Sequence, residues 1–417
     1  MKPKLISLKS LYVESIPRRG YLTHGFDSYP AKMIPHMARF LINEISTPGQ
    51  TILDPFCGTG AVLIESLVTG RNAIGVDLNP LAILLAKAKT ATYDTRILEA
   101  QLEEILEQFA KCQCPCKYNF PNARYWFTDG TLRKLGVIKT VLDHYLPNID
   151  SDYANFWRAL AASIVRECSR ADTRGAKPFI SKRSRTKRFG RHFNPFKIFQ
   201  SKAHLWISAG EQYAKELKEI SDKTRADLIE GDSRNLSHLL NGQVVDAVVT
   251  SPPYLSAQDY YRASKLQLFV LEYSCPGKLI EWSRELIGSD RITLEQRLLD
   301  SRLPCLLAEQ IKCKLANRNK KNAYVFVKYV LDISKVLDQI NRLLKTGSQC
   351  AIVSGYNLSS GIVIPTPEVI IQLASERGFR LACRYRDKIR DRWLPTIRNG
   401  HNGVIDEEHL LVFSKVT

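Results

Sequence analysis

The sequence predicts an α/β fold, a mostly parallel sheet interrupted by a mainly helical, basic insertion. Three observations predict it. Short apolar runs end in an acid or a glycine turn, and stretches of helical period follow them. The alternation stops near residue 95 and resumes at Ala226, leaving a long helical segment between.

Taken in order, apolar residues at 33, 34, 37, 38, 41 and 42 recur at helical spacing. Thr51-Ile52-Leu53 reads as a buried strand ending at Asp54. Gly58 and Gly60 then open a helix through Ala61–Leu67, and Gly70 is its natural stop. A second strand, Ala73–Val76, ends at Asp77, and Pro80 suits the first position of the helix that follows. Strand, glycine turn, helix, strand and acid make a nucleotide-binding half. Between residues 95 and 222 the pattern is helical, strongest over Phe156–Val165. Strands resume at Ala226–Glu230 and at Val244–Val249, the latter running into Thr250-Ser251-Pro252-Pro253-Tyr254. A helix near Tyr261–Leu271, a helix over 330–345, a strand at Cys350–Val353, a helix over 368–377 and two terminal strands complete the expectation.

Composition bounds the function. Sixty Lys+Arg against 42 Asp+Glu leave a net charge of +18, a balance that favours polyanionic partners. No apolar run reaches the length of a membrane span, and the N-terminus lacks the apolar core of a signal peptide, so a cytoplasmic location is expected. Ten cysteines are too few for a secreted disulfide scaffold. Cys112, Cys114 and Cys116 are spaced too tightly for a zinc pair and have no second pair nearby, so no metal is expected. From Thr173 to Gly210 there is no acid and there are ten cations, with Phe179, Phe189, Phe193, Phe196 and Phe199 interleaved. A second acid-free basic window runs from Gln310 to Leu331.

Two strings at expected strand ends carry the chemistry: Asp54-Pro55-Phe56-Cys57-Gly58-Thr59-Gly60 and Ser251-Pro252-Pro253-Tyr254. Ligands of open α/β sheets bind at the carboxyl ends of strands, so both strings fall where cofactor and substrate can meet. Glycine permits positive φ and close backbone approach. Asp77 is placed to accept hydrogen bonds from ribose hydroxyls, while Asp54, beside a turn without lysine, suits a cation better than a polyphosphate. Prolines 252 and 253 stiffen the backbone and donate nothing, leaving the Ser251 hydroxyl and nearby carbonyls as acceptors. Tyr254 offers a flat aromatic face beside them.

The two strings together resemble the amino-group DNA methyltransferases that use S-adenosylmethionine. That resemblance implies a Rossmann-like methyltransferase sheet, mostly parallel with a reversed terminal strand. With the break in alternation, it gives a discontinuous catalytic domain over residues 1–112 and 226–417 and an insertion over 113–225, whose basic window at 173–210 is the candidate for DNA contact and target choice. Asp54, Phe56, Gly58 and Gly60, with Pro55 in the same turn, would line the methionine side of the cofactor. Asp77 would hold the ribose, Asp232 would lie near the adenine, and Tyr29-Pro30-Ala31-Lys32 would pack over the methionine tail. Ser251, Pro252, Pro253 and Tyr254 would form the catalytic loop. Serine at position 251 resembles the branch that methylates N4 of cytosine, whereas aspartate or asparagine there marks N6-adenine enzymes.

Lys182, Arg183, Arg185, Lys187, Arg188 and Arg191 are the candidate DNA contacts, with Arg398, Asn399 and His401 in a C-terminal loop equally suited to face DNA or solvent. Double-stranded DNA is the expected partner, and a cognate restriction endonuclease would accompany a modification enzyme. Alternatives are N6-adenine methylation, RNA amino-methylation and a silent DNA-binding protein. C5-cytosine methylation needs a Pro-Cys loop after a strand, and neither Pro115-Cys116 nor Pro304-Cys305 follows one.

Overall fold

The computed structural model describes residues 4–5, 20–27, 29, 32–172, 175, 177–188, 193–220, 223–255, 259–293, 296–388 and 407–416. After β1 (Lys4–Leu5) and a 3-10 turn (Leu22–Phe26) come α1 (Pro35–Ile45), β2 (Thr51–Asp54), α2 (Ala61–Leu67), β3 (Asn72–Asp77) and α3 (Pro80–Thr90). The helical segment holds α4 (Thr95–Lys111), α5 (Ala123–Trp126), α6 (Asp129–Tyr145), α7 (Ser151–Cys168), α8 (Lys182–Arg188) and α9 (Pro195–Ile220). Then follow β4 (Ala226–Glu230), α10 (Leu236–Leu239), β5 (Val245–Thr250), α11 (Tyr260–Val270), α12 (Pro276–Glu285) and α13 (Gln296–Asp300). The chain ends with α14 (Leu306–Arg318), α15 (Lys320–Leu343), β6 (Leu344–Gly355), β7 (Asn357–Ser359), β8 (Ile362–Ile364), α16 (Thr366–Ser375), β9 (Phe379–Lys388) and β10 (Glu407–Lys415).

Eight strands form one sheet in the order β1-β9-β10-β6-β5-β2-β3-β4. Every neighbouring pair is parallel except those of β10, which runs antiparallel to both β6 and β9. The expected mostly parallel sheet with a reversed terminal strand is therefore present. Strand order reverses at β2, which lies between β3 and β5, so the switch point falls at the carboxyl ends of those strands.

Central strands are apolar on both faces, as a sheet covered on each side requires. Ile52, Ala247, Val249, Ala351 and Val353 meet α1 on one face. Leu53, Val248, Cys350 and Ile352 meet α15 and α16 on the other. Helix α3 is apolar nearly all round because it is buried twice. Ile83 and Ala86 pack toward the glycine turn, whereas Leu81, Leu84, Leu85 and Ala88 join the core of the helical layer.

That layer begins earlier than the insertion boundary, since Leu98, Leu102 and Ile105 of α4 share its core with Phe156, Trp157 and Phe199. Phe196 stacks on Phe109 at 5.0 Å, and Phe199 is fully buried. These aromatics of the basic segment hold helices together and are not free to stack on nucleic-acid bases. Phe179 is exposed.

Candidate active site

The site is built from strand ends. Asp54 closes β2, Asp77 closes β3 and Thr250 closes β5. The Thr250 hydroxyl donates to Asp54 Oδ1 at 2.6 Å, tying the first string to the second across 196 residues of chain. The Phe56 N–H donates to the same oxygen at 3.0 Å. Gly58 at φ +51° and Gly60 at φ +84° turn the chain into α2. A side chain at 60 would also meet the Ala86 Cβ at 3.3 Å. Gly60 thus serves close helix packing, while Gly58 faces open space.

A cleft lies at this edge of the sheet. It is lined by Tyr29, Lys32, Asp54, Phe56, Gly58, Asp77, Asp232, Ser251 and Pro253, all anticipated, and also by Asn79, Ser233, Tyr260, Leu286 and Ile287. Pro55, Gly60, Pro252 and Tyr254 flank the cleft without being among its lining residues. The Pro55 carbonyl instead accepts a hydrogen bond from Ser233. Pro30, Arg191 and the loop with Arg398, Asn399 and His401 lie outside the described residues, as does the side chain of Arg188.

Asp77 accepts from the Gly58 N–H at 3.0 Å through Oδ2 and from the Asn79 N–H at 2.8 Å through Oδ1. Each oxygen keeps a second lone pair. Asn79 caps α3 and donates to the Tyr29 hydroxyl at 2.8 Å, which sets the Tyr29 ring roughly parallel to Tyr260 at 6.2 Å. Among the described residues neither Asp54 nor Asp77 has a cation within ion-pair distance. Burial pushes the Asp54 carboxyl up to about 7 against its hydrogen bonds, and the Asp77 charge adds to the rise. Burial likewise pushes Asp77 up to about 6.

Asp232 lines the cleft with its carboxylate held by Arg234, whose Nη2 lies at 2.6 Å and which also reaches Asp332 at 3.1 Å. Its ionised form is stabilised by that guanidinium, which outweighs burial. Tyr254 is fixed by its hydroxyl, which donates to Glu408 Oε1 of β10 at 2.9 Å. Gly288, at φ +76°, packs so close that a Cβ there would meet the Tyr254 carbonyl oxygen at 2.8 Å. The Cys57 thiol is buried and pushed well above its ordinary value, so it is no nucleophile at neutral pH.

Two buried clusters escaped the sequence reading. Lys89 is fully buried and donates to Asp27 Oδ2 at 3.0 Å and to the Thr59 hydroxyl at 3.3 Å. Asp27 also takes Lys32 at 3.0 Å and the Tyr29 N–H at 2.7 Å, so this ion cluster docks the Tyr29 segment on the glycine turn. Glu65, buried on α2, accepts from His24 at 2.8 Å, from Arg39 at 2.6 Å and from Tyr21. A carboxylate in a short helix whose other residues are apolar except Ser66 was the available signal for Glu65. Among the described residues no group of three or more His, Cys, Asp or Glu could hold a metal, and no helix is long and apolar enough to cross a membrane.

The reversed terminal strand, the switch-point cleft and its unpaired acids define a Rossmann-like methyltransferase. A family profile described as DNA methylase matches residues 3–88. A Type II methyltransferase from Kocuria varians (M.MvaI) is 23% identical over 403 residues, covering 92% of this chain and 87% of its own. Another from Geobacillus stearothermophilus (M.BsoBI) is 22% identical over 441 residues, covering 90% of this chain and 81% of its own. Among solved structures, the rRNA methyltransferase aviRa from Streptomyces viridochromogenes is 13% identical with TM-score 0.34, covering 93% of this chain and 88% of that one. The chain is similar to DNA methyltransferases over these spans, and the cofactor that this similarity implies is S-adenosylmethionine.

The cleft fits that cofactor. Two carboxylates, Asp54 buried and Asp77 partly so, with no cationic partner among the described residues suit a ligand that is itself cationic and carries a sugar diol, and the apolar wall of Phe56, Leu286 and Ile287 suits a flat ring.

Proposed function

We propose that this protein methylates the exocyclic N4 of cytosine in double-stranded DNA, as the modification half of a restriction system. The observation that carries the reading is the shared cleft: Gly58 and Ser251, from strings almost two hundred residues apart, line one cavity beside Asp54 and Asp77. S-adenosylmethionine supplies an electrophilic methyl group when bound.

The chain's residues do the rest. Asp77 would accept from the ribose hydroxyls through the lone pairs left by Gly58 and Asn79. Asp54 would offset positive charge, and Lys32, anchored by Asp27, would pack over the methionine tail. Asp232, already engaged by Arg234, would lie near the adenine. A cytosine amine is a weak nucleophile because its lone pair is conjugated into the ring. The Ser251 hydroxyl and the carbonyls around Pro252 accept its hydrogens, draw off developing positive charge and aim the nitrogen. The base must leave the duplex to reach them, and stacking on the Tyr254 ring offsets part of an unstacking cost of a few kcal/mol. No covalent enzyme intermediate is required.

Serine at 251 favours cytosine, and the Kocuria and Geobacillus relatives, both Type II methyltransferases, support a modification enzyme. Exposed Lys182, Arg183, Arg185 and Lys187 on α8 supply phosphate contacts, with residues 113–225 as the target-choosing insertion. The test is transfer of a labelled methyl group to duplex DNA or to RNA, followed by nucleoside analysis. N4-methylcytosine in DNA is expected. N6-methyladenine would replace the target base, label in RNA alone would replace the substrate, and no transfer to any nucleic acid would overturn the reading.

A further inference from the structure

The β7–β8 hairpin leaves the carboxyl end of β6, the strand next to catalytic β5. Its base is bonded to the catalytic loop, since Asn357 Nδ2 donates at 3.1 Å to the carbonyl of Leu255, the residue after Tyr254. Thr366 donates to Asn357 Oδ1 at 2.9 Å and fixes that amide. The hairpin tip is bonded to the corner between α14 and α15. Arg318 Nη1 donates to the Ser360 carbonyl at 3.1 Å, and Asn322 Nδ2 donates to the Ser360 hydroxyl at 2.8 Å. Catalytic loop, hairpin and corner therefore form one hydrogen-bonded unit.

That corner is strongly basic. No acid occurs from Gln310 to Leu331. Two cations of the window are already paired, Lys312 with Glu309 and Lys328 with Asp332. Lys314, Arg318, Lys320 and Lys321 are exposed, and among the described residues none has an acid within ion-pair distance. Lys320 and Lys321 open α15, and the positive end of a helix dipole disfavours cations there. The C-terminal end of α14 meets the same corner and offsets that effect, so the exposed cations there are left without an acidic partner among the described residues. The corner packs in a core separate from that of the helical layer.

We propose that the α14–α15 corner is a second contact surface for the phosphate backbone of duplex DNA, and that the β7–β8 hairpin couples it to the catalytic loop. The proposal rests on the reading of DNA as substrate. Phosphates beside the everted base meet this corner, while α8 meets the duplex elsewhere.

The experiment measures binding of the full chain to a labelled 30-bp duplex across a salt series. It compares the wild type with a triple variant Lys314→Glu, Lys320→Glu, Lys321→Glu and with the corresponding triple Gln variant. Arg318 is spared because it holds the hairpin, and glutamate at the start of α15 favours the helix. Each lost phosphate contact lowers the slope of log K against log salt by about 0.9, so a fall of about 2.7 is expected in both variants. Binding of S-adenosylmethionine measured by calorimetry should be unchanged. If the wild type binds with a steep salt slope and both variants keep it, this proposal fails and the substrate reading stands. If the wild type itself binds no duplex, the substrate reading fails first. Asn357→Ala should leave the slope intact and lower single-turnover methyl transfer, and unchanged transfer would remove the coupling role of the hairpin.

Discussion

Asp54→Asn separates what the cleft does for stability from what it does for binding. Asp54 is 3% exposed, and burial lifts its carboxyl to about 7 from an ordinary 3.8. Each pH unit of such a rise is worth ~1.4 kcal/mol, so the charged form destabilises the cofactor-free protein by at most roughly 4 kcal/mol. Because the folded value lies above the unfolded one, the folded state binds the extra proton between about pH 4 and pH 7. Stability therefore falls as pH rises through that window and is flat above it. Asparagine keeps an oxygen for Thr250 and the Phe56 N–H but adds an amide that needs acceptors, so only part of the difference returns, about 1–2 kcal/mol. The cofactor-free variant should be more stable than wild type at pH 8, the gap closing toward pH 4. Its affinity for S-adenosylmethionine should fall at least tenfold, on the order of 1.4 kcal/mol. Urea unfolding across pH 5–8.5, with calorimetric titration of the cofactor, measures both. A variant less stable than wild type at pH 8, or a gap independent of pH, would refute the account of Asp54 as an unneutralised charge awaiting its ligand.

Other substitutions probe the supports. Asp27→Ala strands Lys89, which is fully buried, and should destabilise the fold by roughly 3–5 kcal/mol in urea unfolding. Adding Lys89→Met should recover most of that loss, and no recovery would mean the pair is not the cause. Glu408→Ala frees the Tyr254 hydroxyl and should lower kcat by roughly tenfold to a hundredfold with cofactor affinity unchanged. Tyr254→Phe should match it in the same kinetics; a normal kcat in both would leave the pair without a role in catalysis. Replacing Arg183, Arg185 and Lys187 by Glu should lower the salt slope of duplex binding by about 2.7, and an unaltered slope would take α8 out of the interface.

The sheet was legible because its signals are local. Buried parallel strands carry apolar residues on both faces, and Asp54, Asp77 and Gly58 stand where the periodicity breaks. The β7–β8 hairpin also had a cue, the Ser360-Gly361 pair at its turn, but three-residue strands are too short for periodicity to register. Boundaries slipped where tertiary packing overrides pattern, as with α15, which starts at Lys320 among cations and polar residues. The hubs were illegible for another reason. Glu65 gathers partners 41, 26 and 44 residues away, and Lys89 meets an acid 62 residues upstream. Nothing local distinguishes such a lysine from a solvated one. The Phe residues of the basic segment were ambiguous for a related reason, since a core face and a stacking platform share one composition.

Strand β2 lies between β3 and β5, yet β3 begins at Asn72 and β5 only at Val245. During synthesis the growing chain must carry one side of β2 unzipped until β5, almost two hundred residues later, has emerged. Such a side offers an unpaired ladder to other nascent chains. The architecture that lets two distant strings meet in one cavity makes the assembly of that cavity a late event on the ribosome, and any fragment ending before β5 a candidate for aggregation.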